Sequence, residues 1–116
     1  MTDRRYFEYF RLFRKEKFFE AHEILENLWR ETKGPEREFY QGLIQLAAVL
    51  VHYQRNNYPG AQELFRTASK YLGPYSPEHQ GLDLKRILDD FSRFLEVWSQ
   101  HSLEPMFAKK LLPRLK

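Results

Sequence analysis

One stretch of the chain, residues 18–30, places a histidine and a carboxylate among aromatic side chains at helical spacing. His22 and Glu26 are four residues apart, so both lie on one face if this stretch is a helix. The same face carries an apolar stripe, made of Phe18, Phe19, Leu25 and Trp29. Because burying an imidazole or a carboxylate is costly unless each group is paired, the stripe predicts a partly buried polar site.

A second polar stripe follows on the next predicted helix. Gln41, Gln45 and His52 fall within a narrow arc of that helix, and the small Ala48 lies between the last two. The helix is apolar on two other sides, so we expect these polar side chains to be partly buried and to find partners. Antiparallel packing of the two helices would bring the two polar stripes together.

The combined cluster is the candidate ligand site of this chain. Trp29 and Tyr40 are the residues predicted to close it off from water. The predicted ligand-binding residues are His22, Glu23, Glu26, Trp29, Gln41, Gln45 and His52.

Three kinds of chemistry fit this cluster. The first is a structural hydrogen-bond network that fixes the register of the helices and binds nothing. The second is a small ligand or a divalent metal such as zinc or iron, with His22, Glu26 and His52 as metal ligands. The third is general acid–base catalysis in which Glu26 orients His22.

The rest of the sequence favours binding over catalysis. No nucleophile, glycine-rich phosphate loop or cofactor fingerprint accompanies the His–Glu pair. We therefore predict a non-catalytic binding or interaction domain, whose partner is a protein or a small ligand. The alternative is a metal-dependent, hydrolase-like enzyme that uses the same cluster.

Composition limits the remaining possibilities. A chain of 116 residues with 16% aromatic side chains is one domain with enough material for a core. The chain has no cysteine, which excludes disulfides and thiolate chemistry. No signal peptide or membrane-spanning stretch is recognisable, so we expect a cytoplasmic protein without membrane contact. Seven Tyr and ten Phe suggest a homodimer that would cover surplus apolar surface.

The charge is concentrated at the end of the chain, in a basic tail at about residues 105–116. The net charge is +3, and four cations lie in the last eight residues without an acid: Lys109, Lys110, Arg114 and Lys116. A near-neutral body with a basic tail is not typical of nucleic-acid-binding domains, so nucleic acid is an unlikely partner. We expect Leu111, Leu112 and Leu115 to pack back onto the body.

Hydrophobic periodicity predicts helix almost throughout and no strand. The five predicted helices span about 3–15, 17–32, 36–56, 59–72 and 83–100, and Asp83 is the expected N-cap of the last. The pattern at Phe18 and Ala21 recurs at Tyr58 and Ala61, an offset of 40 residues. Residues 1–116 are therefore predicted to be one all-α domain, a compact bundle of two αα-hairpins plus a capping helix.

Two further histidines are expected to have no functional role. His79 is predicted to be a solvated loop residue, because it lies in a proline-rich stretch beside Glu78 and Gln80. His101 follows the last long helix, where an imidazolium would complement the helix dipole.

Several motifs of this chain occur together in a fixed order. They are Phe19-Glu20-Ala21-His22-Glu23-x-x-Glu26-x-x-Trp29-Arg30, Phe39-Tyr40-Gln41-Gly42-Leu43-Ile44-Gln45-x-Ala47 with His52, Asn57-Tyr58 followed by Ala61, and Gly81-x-Asp83-Leu84. In this combination the chain resembles the family named domain of unknown function 309, over nearly its whole length. The resemblance implies a compact all-helical bundle with no established activity. Its motif positions include the seven candidate site residues, whereas the lysines of the tail depart from the motif.

Overall fold

Five long helices, joined by short turns, make up most of the molecule. The computed structural model describes residues 3–100 and 106–116. The elements are α1 (Arg4–Arg14), α2 (Phe18–Glu31), α3 (Glu36–Gln54), α4 (Tyr58–Leu72), a 3₁₀ turn (Gly73–Tyr75), β1 (Glu78–His79), β2 (Leu82–Asp83), α5 (Leu84–Gln100) and the short α6 (Met106–Lys109). The all-α helical bundle predicted from the sequence is confirmed.

The turns after α1 and α3 have the same backbone geometry. Glu16 and Asn56 both adopt positive φ, at 58° and 52°. The next residues, Lys17 and Asn57, each donate their backbone N–H to the carbonyl five residues earlier, at 3.0 and 2.8 Å. This left-handed C-terminal motif satisfies the last helical carbonyls. The internal similarity at an offset of 40 residues therefore extends to the backbone of the two helix–turn–helix units.

Helix α3 is the central helix, as its two apolar sides predict. Its buried residues include Phe39, Leu43, Leu46 and Leu50. On one side, a Cβ at Gly42 would lie 2.4 Å from Leu72 Cγ, so glycine permits the close approach of α3 and α4. On another side, the buried Tyr9 hydroxyl of α1 donates to the Leu43 carbonyl at 2.6 Å. Burial raises the pKa of Tyr9 and keeps this donor protonated.

Two predictions about the apolar faces are wrong. In α1, hydrophobic periodicity predicts Tyr6, Phe7, Phe10 and Phe13 in the core, but Phe7 is 54% exposed and Tyr9 is buried instead. In α2, the buried face is made of Phe18, Ala21, Leu25 and Leu28. Phe19 is 47% exposed, so the predicted stripe is rotated, and its polar members lie at the edge of the buried face.

The prediction that no strand occurs is also wrong, because a two-residue β-hairpin precedes α5. Glu78 pairs with Asp83 and His79 pairs with Leu82. The connecting residues Gln80 and Gly81 both have positive φ, as a tight primed turn requires. Asp83 Oδ1 accepts from the Arg86 backbone N–H at 3.0 Å, which confirms the expected N-cap of α5.

The described part of the basic tail, residues 106–116, folds back onto the body. Leu115 is buried, and Leu111 and Leu112 pack against the core. The Arg86 guanidinium donates to the carbonyls of Arg114 and Leu115, at 3.1 and 3.2 Å. The expected packing of the three leucines is confirmed.

Candidate functional site

The α2–α3 hairpin positions the two polar stripes. At its closed end, Arg37 Cζ lies 4.0 Å from the centroid of the Trp29 ring, and Arg37 Nη1 donates to the Trp29 carbonyl at 3.0 Å. At the other end, Gln54 Nε2 donates to the carbonyl of Glu16 at 3.1 Å. These contacts define an antiparallel register for the two helices.

This register sets the polar residues of α2 opposite those of α3. From the two end contacts we infer that His22 lies at about the level of Gln45 and Glu26 at about the level of Gln41. Arg37 lies on the same stripe of α3 as Gln41 and Gln45, and Arg37 contacts Trp29 of α2. This stripe therefore faces the side of α2 that carries His22. We call this strip the seam; its members are Phe19, His22, Glu26 and Trp29 on α2 and Gln41, Gln45 and Ala48 on α3.

The seam side chains are half-buried, apart from the exposed Phe19. His22 stacks on Phe19, with ring centroids 5.9 Å apart and an interplanar angle of 23°. His22 Nε2 lies 3.3 Å from Glu26 Oε2, and the two side chains are 27% and 30% exposed. The predicted partial burial of this pair is therefore present, although at the edge of the core.

Two seam atoms are buried without a hydrogen-bond partner. They are His22 Nδ1 and Gln45 Oε1, and in the described part of the chain one other side-chain atom shares this property, Trp98 Nε1. The Trp98 indole lies in the core between the rings of Tyr53 and Tyr58, with centroids 5.2 and 5.1 Å away. Native proteins leave few buried polar atoms unsatisfied, so two on one seam mark it as unusual.

The remaining residues predicted at the site differ in exposure and position. Glu26 Oε1 accepts from Arg30 Nη2 at 2.5 Å, so a neighbouring cation compensates its charge. Glu23 is exposed and is not directed into the protein. Trp29 borders the seam, but Tyr40 does not: its ring packs on Tyr6, with centroids 5.9 Å apart. The prediction that Tyr40 helps to close the site is wrong, because its side chain points into the core.

His52 continues the α3 stripe but does not join the seam. It lies seven residues beyond Gln45, or about 10 Å along the helix axis at 1.5 Å per residue. Its Nδ1 is 3.0 Å from Asn57 Nδ2, and Asn57 Oδ1 accepts from the Gly60 backbone N–H at 3.1 Å. His52 therefore supports the residue that caps α4, which is a structural role.

The structure does not assemble the predicted metal ligands. In residues 3–100 and 106–116, no three His, Cys, Asp or Glu side chains form a group that could hold a metal ion. His22 pairs with Glu26, whereas His52 pairs with Asn57 at the far end of α3. Ligands of one zinc ion must each lie about 2 Å from it. The separation of His52 from the other two residues explains why this set fails.

His79 is not the solvated loop residue that its sequence context predicts. Its Nε2 donates to Glu36 Oε1 and Oε2, at 2.8 and 3.0 Å. Its ring packs on Phe39 and Tyr75, with centroids 4.6 and 4.9 Å away. Gln80 Nε2 also donates to Glu36, so the β-hairpin is held on the start of α3. The hairpin turn at Gln80–Gly81 can be recognised in the sequence. Nothing in the sequence indicates that the hairpin packs on Glu36.

A second carboxylate arrangement ties α1 to the end of α2. The Arg5 guanidinium bridges Asp3 and Glu31, with N–O distances of 2.9 and 2.8 Å. Asp3 also caps α1 by accepting from the Arg5 backbone N–H at 2.8 Å. The hydrogen bonds from Arg5 lower the pKa of Asp3 to about 2 and also lower the pKa of Glu31.

The described surface adds two observations on partners. Among residues 3–100 and 108–116, the exposed large hydrophobic side chains are Phe7 and Phe19. The core thus contains most of the aromatic residues from which a homodimer was inferred, and the dimer stays a prediction. No helix in these ranges is both long and apolar enough to cross a membrane. His101 lies outside the described residues.

The sequence of this chain is similar to one protein family and to one bacterial protein. The family described as "Domain of unknown function (DUF309)" matches residues 6–64, which include all seven candidate site residues. The match ends within α4, so it is shorter than the nearly full-length resemblance expected. The chain is also 38% identical over 78 residues to the uncharacterized protein YpuF of Bacillus subtilis (strain 168). That alignment covers 62% of this chain and 43% of YpuF, so the chain spans less than half the length of this relative. Because this match covers more than half of the residues of the chain, the chain belongs to the domain of unknown function 309 family.

Proposed function

We propose that this protein is a non-catalytic binding domain and that the seam is its ligand site. The observation that carries the proposal is the pair of buried atoms without partners, His22 Nδ1 and Gln45 Oε1, at one level of the α2–α3 hairpin. A bound group that hydrogen-bonds to both would remove the desolvation penalty that each atom now carries.

The chemistry of the two atoms defines the ligand. His22 Nε2 faces the Glu26 carboxylate, which favours the ring proton on Nε2 and leaves Nδ1 as an acceptor. Gln45 Oε1 is also an acceptor, and two acceptors cannot satisfy each other. The ligand must therefore donate, through a hydroxyl, an amide N–H or an ammonium group. Phe19 and Trp29 lie at the two ends of the seam on α2 and would supply apolar contact for the body of the ligand.

Binding explains the seam better than metal-dependent catalysis does. The alternative enzyme requires His22, Glu26 and His52 to act on one ion, and the described residues do not form such a group. Glu26 is also engaged by Arg30, which reduces its availability as a base. The seam instead combines two unpaired acceptors with aromatic side chains, and both kinds of group also occur in small ligand sites.

The test is a two-dimensional NMR titration with three probes that share a benzyl or phenyl body: benzyl alcohol, benzylammonium and benzoate. We expect the two donors to shift resonances of residues 19–29 and 41–48, and benzoate, which only accepts, to leave them unchanged. The variant His22→Phe/Gln45→Leu should weaken donor binding about tenfold, because both acceptors are lost.

A matched control separates this site from general surface binding. The exposed Gln62 on α4 allows the variant Gln62→Leu, which removes an amide away from the seam and should bind like the unmodified protein. Equal shifts of the resonances of residues 19–29 and 41–48 by benzoate and by the donors, or unchanged donor affinity in the double variant, would overturn the proposal.

A further inference from the structure

A groove lies away from the seam, between α1, the start of α2 and the C-terminal segment. Its volume is about 370 Å³, within the usual range of small-molecule sites. Phe10, Phe13 and Phe18 form its apolar lining, and Leu112 and Leu115 close it from the C-terminal side. Phe10, Phe13 and Phe18 are 2–4% exposed, so a small part of each ring is open to the body of a small molecule.

The rim of the groove is strongly cationic. Five basic side chains line it: Arg14, Lys109, Lys110, Arg114 and Lys116. One carboxylate, Glu16, lies among them. None of the five cations forms an ion pair with another described residue. Five like charges with one carboxylate among them repel one another, and a bound anion would relieve that repulsion.

Contacts with α5 and α1 hold the end of the cationic segment in place. Arg86 pairs with Asp90 at 2.8 Å and donates to the carbonyls of Arg114 and Leu115. Lys116 Nζ lies 5.5 Å from the centroid of the Phe10 ring. The contacts of Arg86 hold the backbone at residues 114 and 115, so this end of the segment is in place beside the groove before a ligand binds.

We propose that this groove binds a small organic anion with an apolar, preferably aromatic, body. The anionic group would lie among Lys109, Lys110 and Arg14, and the body would pack on the phenylalanine lining. The volume suits a small molecule, and the aromatic lining beneath the cations favours an amphipathic anion over a fully hydrophilic one. This site is independent of the seam in both position and charge preference.

The test uses two fluorescent probes that differ in charge. One is 8-anilino-1-naphthalenesulfonate, and the other is N-phenyl-1-naphthylamine, which has the same aromatic body without the sulfonate. We expect the sulfonate to bind one site about tenfold more tightly than the neutral amine, because charge-assisted contacts add to apolar packing. Its affinity should fall as sodium chloride is raised from about 0.02 M to about 0.5 M.

Variants locate the site and keep the test decisive. Lys109→Ala/Lys110→Ala should lower the affinity for the sulfonate about tenfold, with little effect on the fold because both side chains are exposed. Lys33→Ala/Lys70→Ala removes the same charge at exposed positions elsewhere and should leave the affinity unchanged. His22→Phe should also leave it unchanged, which separates this site from the seam.

Several outcomes would overturn the proposal. These are equal affinity for the charged and neutral probes, an affinity that does not depend on salt, and equal losses in the two lysine pairs. The proposal would also fail if phosphatidylglycerol vesicles or a single-stranded oligonucleotide bound through Lys109 and Lys110 while the sulfonate did not, because a macromolecular partner would then be indicated.

Discussion

His22 and His79 each lie beside a glutamate, but the two pairs are built differently. His22 and Glu26 are four residues apart on one helix, and their closest atoms are 3.3 Å apart. His79 and Glu36 are 43 residues apart, and the imidazole contacts both carboxylate oxygens, at 2.8 and 3.0 Å. The ring of His79 is also enclosed by Phe39 and Tyr75, whereas His22 stacks on one exposed ring.

The difference separates a structural pair from a candidate binding pair. The Nε2 of His79 has its partner, and that contact joins two elements that are distant in sequence. His22 adds no such connection, and its Nδ1 is buried without a partner in the described residues. A histidine that stabilises a fold is expected to have its buried polar atoms satisfied. The unsatisfied atom thus favours a functional role for His22, and three predictions test this comparison.

The largest effect is expected at His79. His79→Ala removes the contacts to Glu36 and the ring packing on Phe39 and Tyr75, which help to hold the β-hairpin on α3. The hydrogen bond from Gln80 to Glu36 remains, so the hold of the hairpin on α3 is weakened rather than lost. We expect the free energy of unfolding to fall by about 2 kcal/mol, with allowance for the partial exposure of the pair. Urea denaturation followed by circular dichroism measures this change.

The exposed neighbour Glu78 provides the control, because Glu78→Ala should change the free energy of unfolding by less than about 0.5 kcal/mol. If His79→Ala is as mild as this control, the contacts of His79 contribute little and the contrast with His22 disappears.

The two pairs also mark how far sequence reasoning reaches. The His22–Glu26 pair follows from helical spacing alone, because residues at i and i+4 must be neighbours on a helix. The five long helices and the N-cap role of Asp83 follow from equally local rules. The His79–Glu36 pair depends on how a two-residue β-hairpin docks on a distant helix, and no local pattern specifies that contact.

The errors at the candidate site have a similar origin. Periodicity gives the faces of α2 and α3, but the angle at which α2 packs decides which edge of its stripe is buried. A small rotation exposes Phe19 and buries Ala21. The position of His52 along α3, about two turns beyond Gln45, also depends on the register of the hairpin. The basic groove was missed because the sequence predicts that the tail packs on the body but does not indicate that residues 109–116 lie beside α1 and the start of α2.

The Asp3–Arg5 pair is expected to contribute less to the free energy of unfolding than His79 does, and its contribution depends on pH. Arg5 lowers the pKa of Asp3 from 3.8 to about 2, so the folded state favours the ionised carboxylate. Its contribution to stability is present above the ordinary pKa and is lost as the pH falls toward 2. Asp3→Asn keeps a capping oxygen but removes the charge. We expect the variant to lose a fraction of a kcal/mol at pH 6, because the pair is partly exposed.

Denaturant unfolding of both proteins at several pH values measures the Asp3 effect. The difference in free energy of unfolding should shrink between about pH 4 and pH 2, where Asp3 takes up its proton. A difference that stays constant over this interval would show that the aspartate acts only as a helix cap.

The smallest effect on stability is expected at His22, and this variant tests the contrast with His79 directly. His22→Phe keeps an aromatic ring beside Phe19 and removes both ring nitrogens, of which Nδ1 has no partner in the described residues. Glu26 retains its contact with Arg30, so no buried carboxylate is left isolated. The free energy of unfolding should therefore stay within about 0.5 kcal/mol of the unmodified value.

Loss of about 2 kcal/mol, as expected for His79→Ala, would make His22 a structural residue and remove the physical basis for a ligand at the seam. Unchanged stability together with weaker binding of benzylammonium would instead assign the imidazole to recognition, because a purely structural side chain cannot be removed without loss of stability.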